Sequence, residues 1–169
     1  QVLHNLPAGD WDAGERGIAC LPDRVAEVQE GVGRAIEYAT ALGCKQVNCL
    51  AGVAPPGTAP EVLRETLLSN LRFAASQLAE AGIGLLIEPI NTRDIPGFFV
   101  RHTAQARSII EEAGSDNLHL QHDIYHMQVM EGDLAPTIES NLDIIEHVQI
   151  ADTPGRNEPG TGEINYPFL

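Results

Sequence analysis

Residues 60–88, PEVLRETLLSNLRFAASQLAEAGIGLLIE, hold a complete helix followed by a strand, and this unit decides the fold class. Leucine and alanine recur at steps of three and four after Pro60, which predicts a helix over about residues 60–81. Gly82 predicts the end of that helix. The run Gly84–Glu88 is apolar until its last residue, as expected of a strand that is covered on both faces. Helices alternating with such strands are typical of an α/β protein with a parallel sheet.

The same alternation extends over the whole chain. Strands are predicted at about Val2–Leu6, Gln46–Leu50, Gly84–Glu88, Leu118–Asp123 and His147–Ala151. Further helices are predicted over about residues 23–42, from Thr103 as N-cap to Gly114, and over about residues 135–145. Strand spacings of about 25–45 residues match a (β/α)₈ TIM barrel, and an open doubly wound sheet is the alternative. Because no linker or change of composition interrupts the pattern, we expect residues 1–169 to form a single domain.

The composition argues against several classes of function. The 169 residues are 43% hydrophobic and 20% charged, and 24 acidic against 10 basic residues give a formal net charge of -14. This charge repels phosphate backbones and anionic membranes, so we expect no nucleic-acid partner and no membrane partner. No run approaches the ~20 apolar residues of a membrane span. The three cysteines are odd in number and lack zinc-site spacing, which predicts buried thiols in a reducing compartment such as the cytoplasm.

Oxygen-bearing side chains stand at the ends of three successive predicted strands. Glu88 and Asp123 end two of the strands, and Gln149 lies in the next one. Any one of them is equally well explained as a helix cap, but all three converge on one point if the sheet curves, which favours the barrel. Carboxylate and amide oxygens suit Mg²⁺ or Mn²⁺ better than zinc or copper, so we expect a divalent cation at this point.

Further polar residues follow the same strand ends. The candidates for substrate binding are His4, Asn91, His126, Arg156 and Glu158. His126 is predicted in the loop that leaves the fourth strand, and Arg156 lies in a Gly/Pro-rich loop where a guanidinium fork suits a substrate carboxylate. The simpler interpretations are a structural histidine and a solvated loop with a surface ion pair. No P-loop, GxGxxG, GxSxG or HExxH motif occurs, so nucleotide binding and serine hydrolysis have no support.

Several long segments of this chain closely resemble the hydroxypyruvate isomerases, a family of xylose-isomerase-like TIM barrels. The segments that carry the resemblance are Leu3–Trp11, Gly14–Ala19, Ile87–Asn91, Asp94–Phe98, Asp123–Gln128 and His147–Asn165. The resemblance covers essentially the whole chain and implies that the five strands are the third to the seventh of the barrel. On this basis we expect a fragment of about five βα units, with two strands before it and one after it.

The resemblance also implies a metal site and a reaction. Glu88, Asp123 and Gln149 correspond to three of four metal ligands, and Glu88 to one of two catalytic glutamates. The fourth ligand, which is the second glutamate, belongs to the eighth strand of the family. The implied reaction interconverts hydroxypyruvate and tartronate semialdehyde by a metal-assisted proton shift through an enediolate, a step of glyoxylate metabolism. His126 and Arg156 are then expected to orient the substrate.

Two alternatives stay open at this stage. A 2-oxo-tetronate isomerase or a ketose 3-epimerase would share the same barrel, although the segments His4–Pro7 and Asp123–Gln128 favour the first interpretation. A non-catalytic fragment, lacking the glutamate of the last strand, is the second alternative. The expected partner is a small anionic hydroxy-oxo acid, and association into a homo-oligomer is also left open.

Overall fold

The computed structural model describes residues 1–169 and contains one five-stranded parallel sheet. The strands are β1 (Leu3–Asn5), β2 (Gln46–Cys49), β3 (Gly84–Ile87), β4 (Leu118–Asp123) and β5 (Ile145–Gln149). The helices are α1 (Val25–Leu42), α2 (Pro60–Glu80), α3 (Thr103–Ala113), α4 (Ile124–Met130) and α5 (Leu134–Asn141). The predicted α/β class is therefore confirmed.

The order of the strands decides between the two predicted architectures. Neighbours in the sheet follow the chain, β1-β2-β3-β4-β5, and every pair is parallel. A doubly wound sheet reverses its order at a switch point, and this sheet does not. The sheet also curves, because the side chain of Gln46 in β2 donates to the Glu146 carbonyl in β5 at 3.1 Å. In a flat sheet these strands would lie about 14 Å apart. The sheet is thus part of a TIM barrel.

Alternation along the strands separates an apolar face from a polar one. Val47, Leu85 and Leu118 are at most 1% exposed and belong to the core between sheet and helices. Asn48 is next to Val47 and so points to the opposite face, the concave side of the sheet, where it contacts Glu88. Burial of the apolar face against α1 to α3 stabilises the sheet, and this leaves the concave face for polar side chains.

The helices end where the sequence predicts, with exceptions near β5. Gly43 and Gly114 adopt left-handed φ values of 62° and 65° directly after α1 and α3, as C-terminal caps do. The predicted helix over residues 135–145 instead ends at Asn141, and Ile145 already belongs to β5. Leu142, which lies within the range predicted as helix, is 64% exposed. The pairing of β5 with β4 is irregular here, since Leu120 pairs with Ile145 and Gln121 with His147, so one extra residue of β5 lies between the two pairs.

Two smaller predictions are also corrected. Thr103 is the first residue of α3 and not its N-cap, and its hydroxyl donates to the sulfur of Met127 at 3.2 Å. His126 lies in the helix α4 and not in a loop. The predicted cysteine environment is confirmed, since Cys20, Cys44 and Cys49 are all free and buried. Among the helices, none combines the length and the apolar character that crossing a membrane requires.

Candidate active site

The candidate site lies on the concave side of the sheet, at the carboxyl ends of the strands. Glu88 follows β3 directly and Asp123 is the last residue of β4. Glu88 is only 5% exposed and Asp123 only 3%. Gln149, the last residue of β5, is partly buried and is the ladder partner of Asp123. Three side chains predicted from different parts of the chain thus share one end of the sheet, where TIM barrels carry their active sites.

The environment of Glu88 makes it a proton acceptor close to neutral pH. Burial is the main cause that raises the pKa of Glu88 to about 7, and the nearby Asp123 carboxylate raises it further. Hydrogen bonds from the amides of Gln121 and Asn48 oppose this shift. The Asn48 Nδ2 atom donates to Glu88 Oε2 at 2.8 Å and to Asn5 Oδ1 at 3.2 Å. These amides hold the carboxylate in one orientation, and a general base is most effective when its pKa lies near the working pH.

His126 completes a compact group with the two carboxylates. It lies in the first turn of α4, where its backbone N–H donates to Asp123 Oδ1 at 3.1 Å. This bond is a helix cap, and it places the ring beside the carboxylates. The Nε2 atom of His126 lies 3.6 Å from Asp123 Oδ2 and 3.9 Å from Glu88 Oε1. Burial lowers the pKa of His126, against the effect of the Asp123 charge, and favours the neutral ring.

The group fits a divalent cation. Glu88, Asp123 and His126 each offer one ligand atom, and these atoms all lie within 4.8 Å of one another. Two buried carboxylates side by side repel each other, and this repulsion contributes to the raised pKa of Glu88. A cation between them would remove that cost.

Arg156 brings positive charge to the same place. Its Nη2 atom lies 3.6 Å from Asp123 Oδ2 and 3.1 Å from His126 Nε2. Its guanidinium stands over the ring of Tyr125, 4.8 Å from the centroid, while 49% of the side chain stays exposed. The loop that carries it is anchored by Asp152, whose buried carboxylate accepts from the backbone N–H groups of Gly160 and other residues of the loop.

The remaining sequence-predicted residues have different placements. Asn91 is fully buried behind His126, with its Nδ2 atom 2.6 Å from His126 Nδ1. Glu158 is exposed, and the structure does not bring it to the group. His4 is not brought there either. It pairs with Val47, whose side chain faces the helices, and it lines a cavity with residues of α1.

Several residues of the site are not among those predicted from the sequence. In β1 it is Asn5, and not His4, that reaches Asn48 and so the group around Glu88. Asn48 and Gln121 are polar residues within predicted strands, at most 1% exposed. Such residues are a usable signal, because a buried amide requires a hydrogen-bond partner.

Comparison with known proteins agrees with this architecture. Residues 1–169 match the family described as xylose isomerase-like TIM barrel. The chain is 58% identical to hydroxypyruvate isomerase from Escherichia coli K12, covering 99% of this chain and 65% of that protein. It is 46% identical to 2-oxo-tetronate isomerase from Cupriavidus necator, covering 100% of this chain and 65% of that protein.

A solved structure gives the same result. The crystal structure described as AP endonuclease, family 2, from Brucella melitensis superposes with a TM-score of 0.97 at 43% identity. The match covers 100% of this chain and 65% of that one. The chain thus spans about 65% of the length of the curated relatives it matches. The family match covers all 169 residues of this chain and agrees with the strand order and curvature of the sheet. This chain therefore belongs to the xylose isomerase-like TIM barrel family.

Proposed function

We propose that this protein is an isomerase that interconverts hydroxypyruvate and tartronate semialdehyde with the help of Mg²⁺ or Mn²⁺. The observation that carries the proposal is the buried group of Glu88, Asp123 and His126 at the carboxyl ends of the barrel strands. Similarity to a hydroxypyruvate isomerase supports the choice of substrate.

The reaction moves one hydrogen between adjacent carbon atoms of a three-carbon acid. It needs a base that is shielded from water and whose pKa lies near neutrality, and Glu88 meets both conditions. Asn48 and Gln121 hold the carboxylate of Glu88 while it takes the proton from the hydroxyl-bearing carbon. A bound divalent cation supplies Lewis acidity at the substrate oxygens, which makes the C–H bond more acidic.

The proposed ligands of the cation are Glu88, Asp123 and Gln149. Their shared position at one end of the sheet supports this assignment, as does the oxygen character of all three. Hard oxygen ligands favour Mg²⁺ or Mn²⁺ over softer metals. His126 also lies close to the carboxylates, with its Nε2 atom 3.6 Å from Asp123 Oδ2 and 3.9 Å from Glu88 Oε1.

The substrate is an anion, and Arg156 is proposed to hold its carboxylate. The guanidinium lies next to the carboxylates of the site and keeps half of its side chain exposed towards a ligand. The molecule as a whole is strongly acidic, with a formal net charge of -14, so a local cation is needed to attract an acid. The same charge opposes a DNA backbone, and we therefore propose no nuclease activity despite the description of one structural neighbour.

A 2-oxo-tetronate is the second candidate substrate. The observation that favours it is the similarity to a 2-oxo-tetronate isomerase over the whole of this chain. Both substrates are 2-oxo acids with a hydroxyl on the adjacent carbon, so they present the same reacting atoms to Glu88. They differ in length, and the ratio of their kcat/KM values distinguishes them.

The direct test is turnover. The 169-residue chain and the complete product of its gene are purified, treated with chelator, and assayed with hydroxypyruvate while tartronate semialdehyde is detected by ¹H NMR. We expect turnover by the gene product that requires added Mg²⁺ or Mn²⁺ and exceeds turnover of 2-oxo-tetronate. Absence of turnover with either cation overturns the proposal. Turnover that also appears in the isolated chain overturns the alternative of a non-catalytic fragment.

We further propose a cytoplasmic setting and a role in glyoxylate metabolism. The free, buried state of all three cysteines supports a reducing compartment. Burial raises the pKa of Cys20 and of Cys49 to about 12, so these thiols behave as small apolar side chains.

A further inference from the structure

The side chain of Asn91 lies between a loop and the ring of His126, and all its polar atoms are engaged. The residue is 0% exposed. Its Oδ1 atom accepts from the backbone N–H of Asp94 at 2.7 Å. Its Nδ2 atom lies 2.6 Å from His126 Nδ1 and donates to Asp94 Oδ2 at 3.2 Å.

These contacts fix which way the amide points. A backbone N–H is always a donor, so the partner of Asp94 N must be the oxygen of Asn91 and not its nitrogen. The NH₂ group then faces the ring. The backbone N–H of Asn91 also points at His126 Nδ1, at 3.5 Å, and it cannot be rotated. Two donors therefore face Nδ1, which is satisfied only as an acceptor.

The other ring nitrogen faces the reactive side of the site. Arg156 Nη2 lies 3.1 Å from Nε2, and Asp123 Oδ2 lies 3.6 Å from it. A neutral imidazole has one donor and one acceptor nitrogen, so donors on both sides cannot both be accommodated. The donors at Nδ1 are part of the buried backbone and a buried amide, whereas the Arg156 side chain is 49% exposed and free to move. Because the two donors at Nδ1 cannot move away, Nδ1 stays the acceptor and Nε2 carries the hydrogen.

Asp94 is also held by Tyr125. Its Oδ2 atom accepts from the hydroxyl of Tyr125 at 2.7 Å, and the Tyr125 oxygen accepts from Arg93 Nη2 at 2.9 Å. Tyr125 also directly precedes His126 in α4. Because Asn91 and Tyr125 both donate to the same oxygen of Asp94, an acceptor at position 94 holds Asn91 in place against the ring.

We propose that Asn91, anchored by Asp94, is a positioning residue that fixes His126 as the Nε2–H tautomer and so makes it a hydrogen-bond donor to substrate, not a metal ligand. The part about substrate rests on the proposed function. With Nε2 protonated, His126 and Arg156 present two donors 3.1 Å apart, and Asp123 Oδ2 lies 3.6 Å from each of them, beyond hydrogen-bond distance. An anionic oxygen of a small acid that accepts from both groups relieves this contact.

The tautomer is measured without any assay of activity. Long-range ¹H–¹⁵N correlation spectra of the ¹⁵N-labelled protein report which ring nitrogen carries hydrogen in each of the 6 histidines. The signals of His126 are assigned by their loss in His126→Gln. We expect a protonated Nε2 and an unprotonated Nδ1 in the neutral ring. A protonated Nδ1 overturns the proposal, and this result needs no variant that perturbs the fold.

Two variants test the role of Asn91. Asn91→Asp replaces the donor at Nδ1 by a carboxylate oxygen, so we expect hydrogen to appear on Nδ1 and turnover of hydroxypyruvate to fall by about 10- to 100-fold. Asp94→Asn is the matched control, because an amide oxygen still accepts from Asn91 and Tyr125, and we expect the wild-type tautomer to persist. A folded Asn91→Asp protein with unchanged tautomer overturns the proposal.

The outcomes for the two proposals are distinguishable. An Nε2–H ring in a protein that does not turn over hydroxypyruvate supports the positioning role and overturns the proposed reaction. An Nδ1–H ring in a protein that isomerises hydroxypyruvate overturns the positioning role and supports the proposed reaction.

Discussion

Replacing Glu88 by glutamine should make the metal-free protein more stable, and the gain should grow with pH. The carboxylate is 5% exposed and lies beside Asp123, and these two features raise its pKa from 4.5 to about 7. A folded protein that binds a proton more tightly than the unfolded chain loses stability as pH rises between the two pKa values. Glutamine at this position neither titrates nor repels Asp123, so the variant escapes this loss.

The magnitude follows from the pKa shift. Each pKa unit corresponds to about 1.36 kcal/mol. The raised pKa of Glu88 therefore lowers the stability of the wild-type protein by about 1 kcal/mol at pH 5.5, where only the unfolded chain is mostly ionised, and by roughly 3 kcal/mol at pH 8, where the folded protein is ionised as well. The stability difference between Glu88→Gln and wild type should thus increase by about 2 kcal/mol over this range.

The assay is urea unfolding of both proteins in chelator at pH 5.5 and pH 8. Glu80→Gln, an exposed glutamate at the end of α2, is the control and should show no such increase. Adding Mn²⁺ should stabilise the wild-type protein and reduce the difference, because a cation between the carboxylates removes the repulsion. A stability difference that stays constant from pH 5.5 to pH 8 would refute the account of Glu88 as a buried, destabilised carboxylate.

Three further predictions concern the core and the substrate loop. Leu85→Ala, at a fully buried position of β3, should lower the free energy of unfolding by about 2–5 kcal/mol in urea, and a loss well below that range would contradict the packing described. Asp152→Ala removes the acceptor that ties the loop together, so KM for hydroxypyruvate should rise more than kcat falls; an unchanged KM would exclude a role of this loop in binding. Arg156→Lys should raise KM about tenfold through loss of roughly 1.5 kcal/mol from a charge-assisted hydrogen bond, and saturation kinetics identical to wild type would remove Arg156 from the site.

The sequence predicted the long elements well because their hydrophobic periods are unambiguous. The helix from Pro60 runs as expected, and the strand before Glu88 ends within one residue of the prediction. The seven residues of α4 are too few to establish a helical period, and the helix depends on Asp123 as its cap. The displaced start of β5 results from an irregular register with β4, which is a property of the pairing and not of either strand alone.

The site was predictable in part, for a similar reason. Glu88 and Asp123 are visible in the sequence because a carboxylate at the end of a buried strand is costly without a function. The sequence does not show that Asn5, and not His4, faces the site. A strand of three residues carries too little alternation to show which face each residue occupies. The contact of Asn91 with His126 joins residues 35 positions apart, after two different strands, and only the folded chain brings them together.

Glu88 is proposed to move the proton in an isomerisation at this site. The most direct test compares kcat/KM for hydroxypyruvate between the wild-type protein and Glu88→Gln, both shown to be folded and loaded with the same divalent cation. We expect a loss of at least about 100-fold, as is found when a general base is removed. A Glu88→Gln protein that turns over hydroxypyruvate at a near-normal rate would exclude Glu88 as the base.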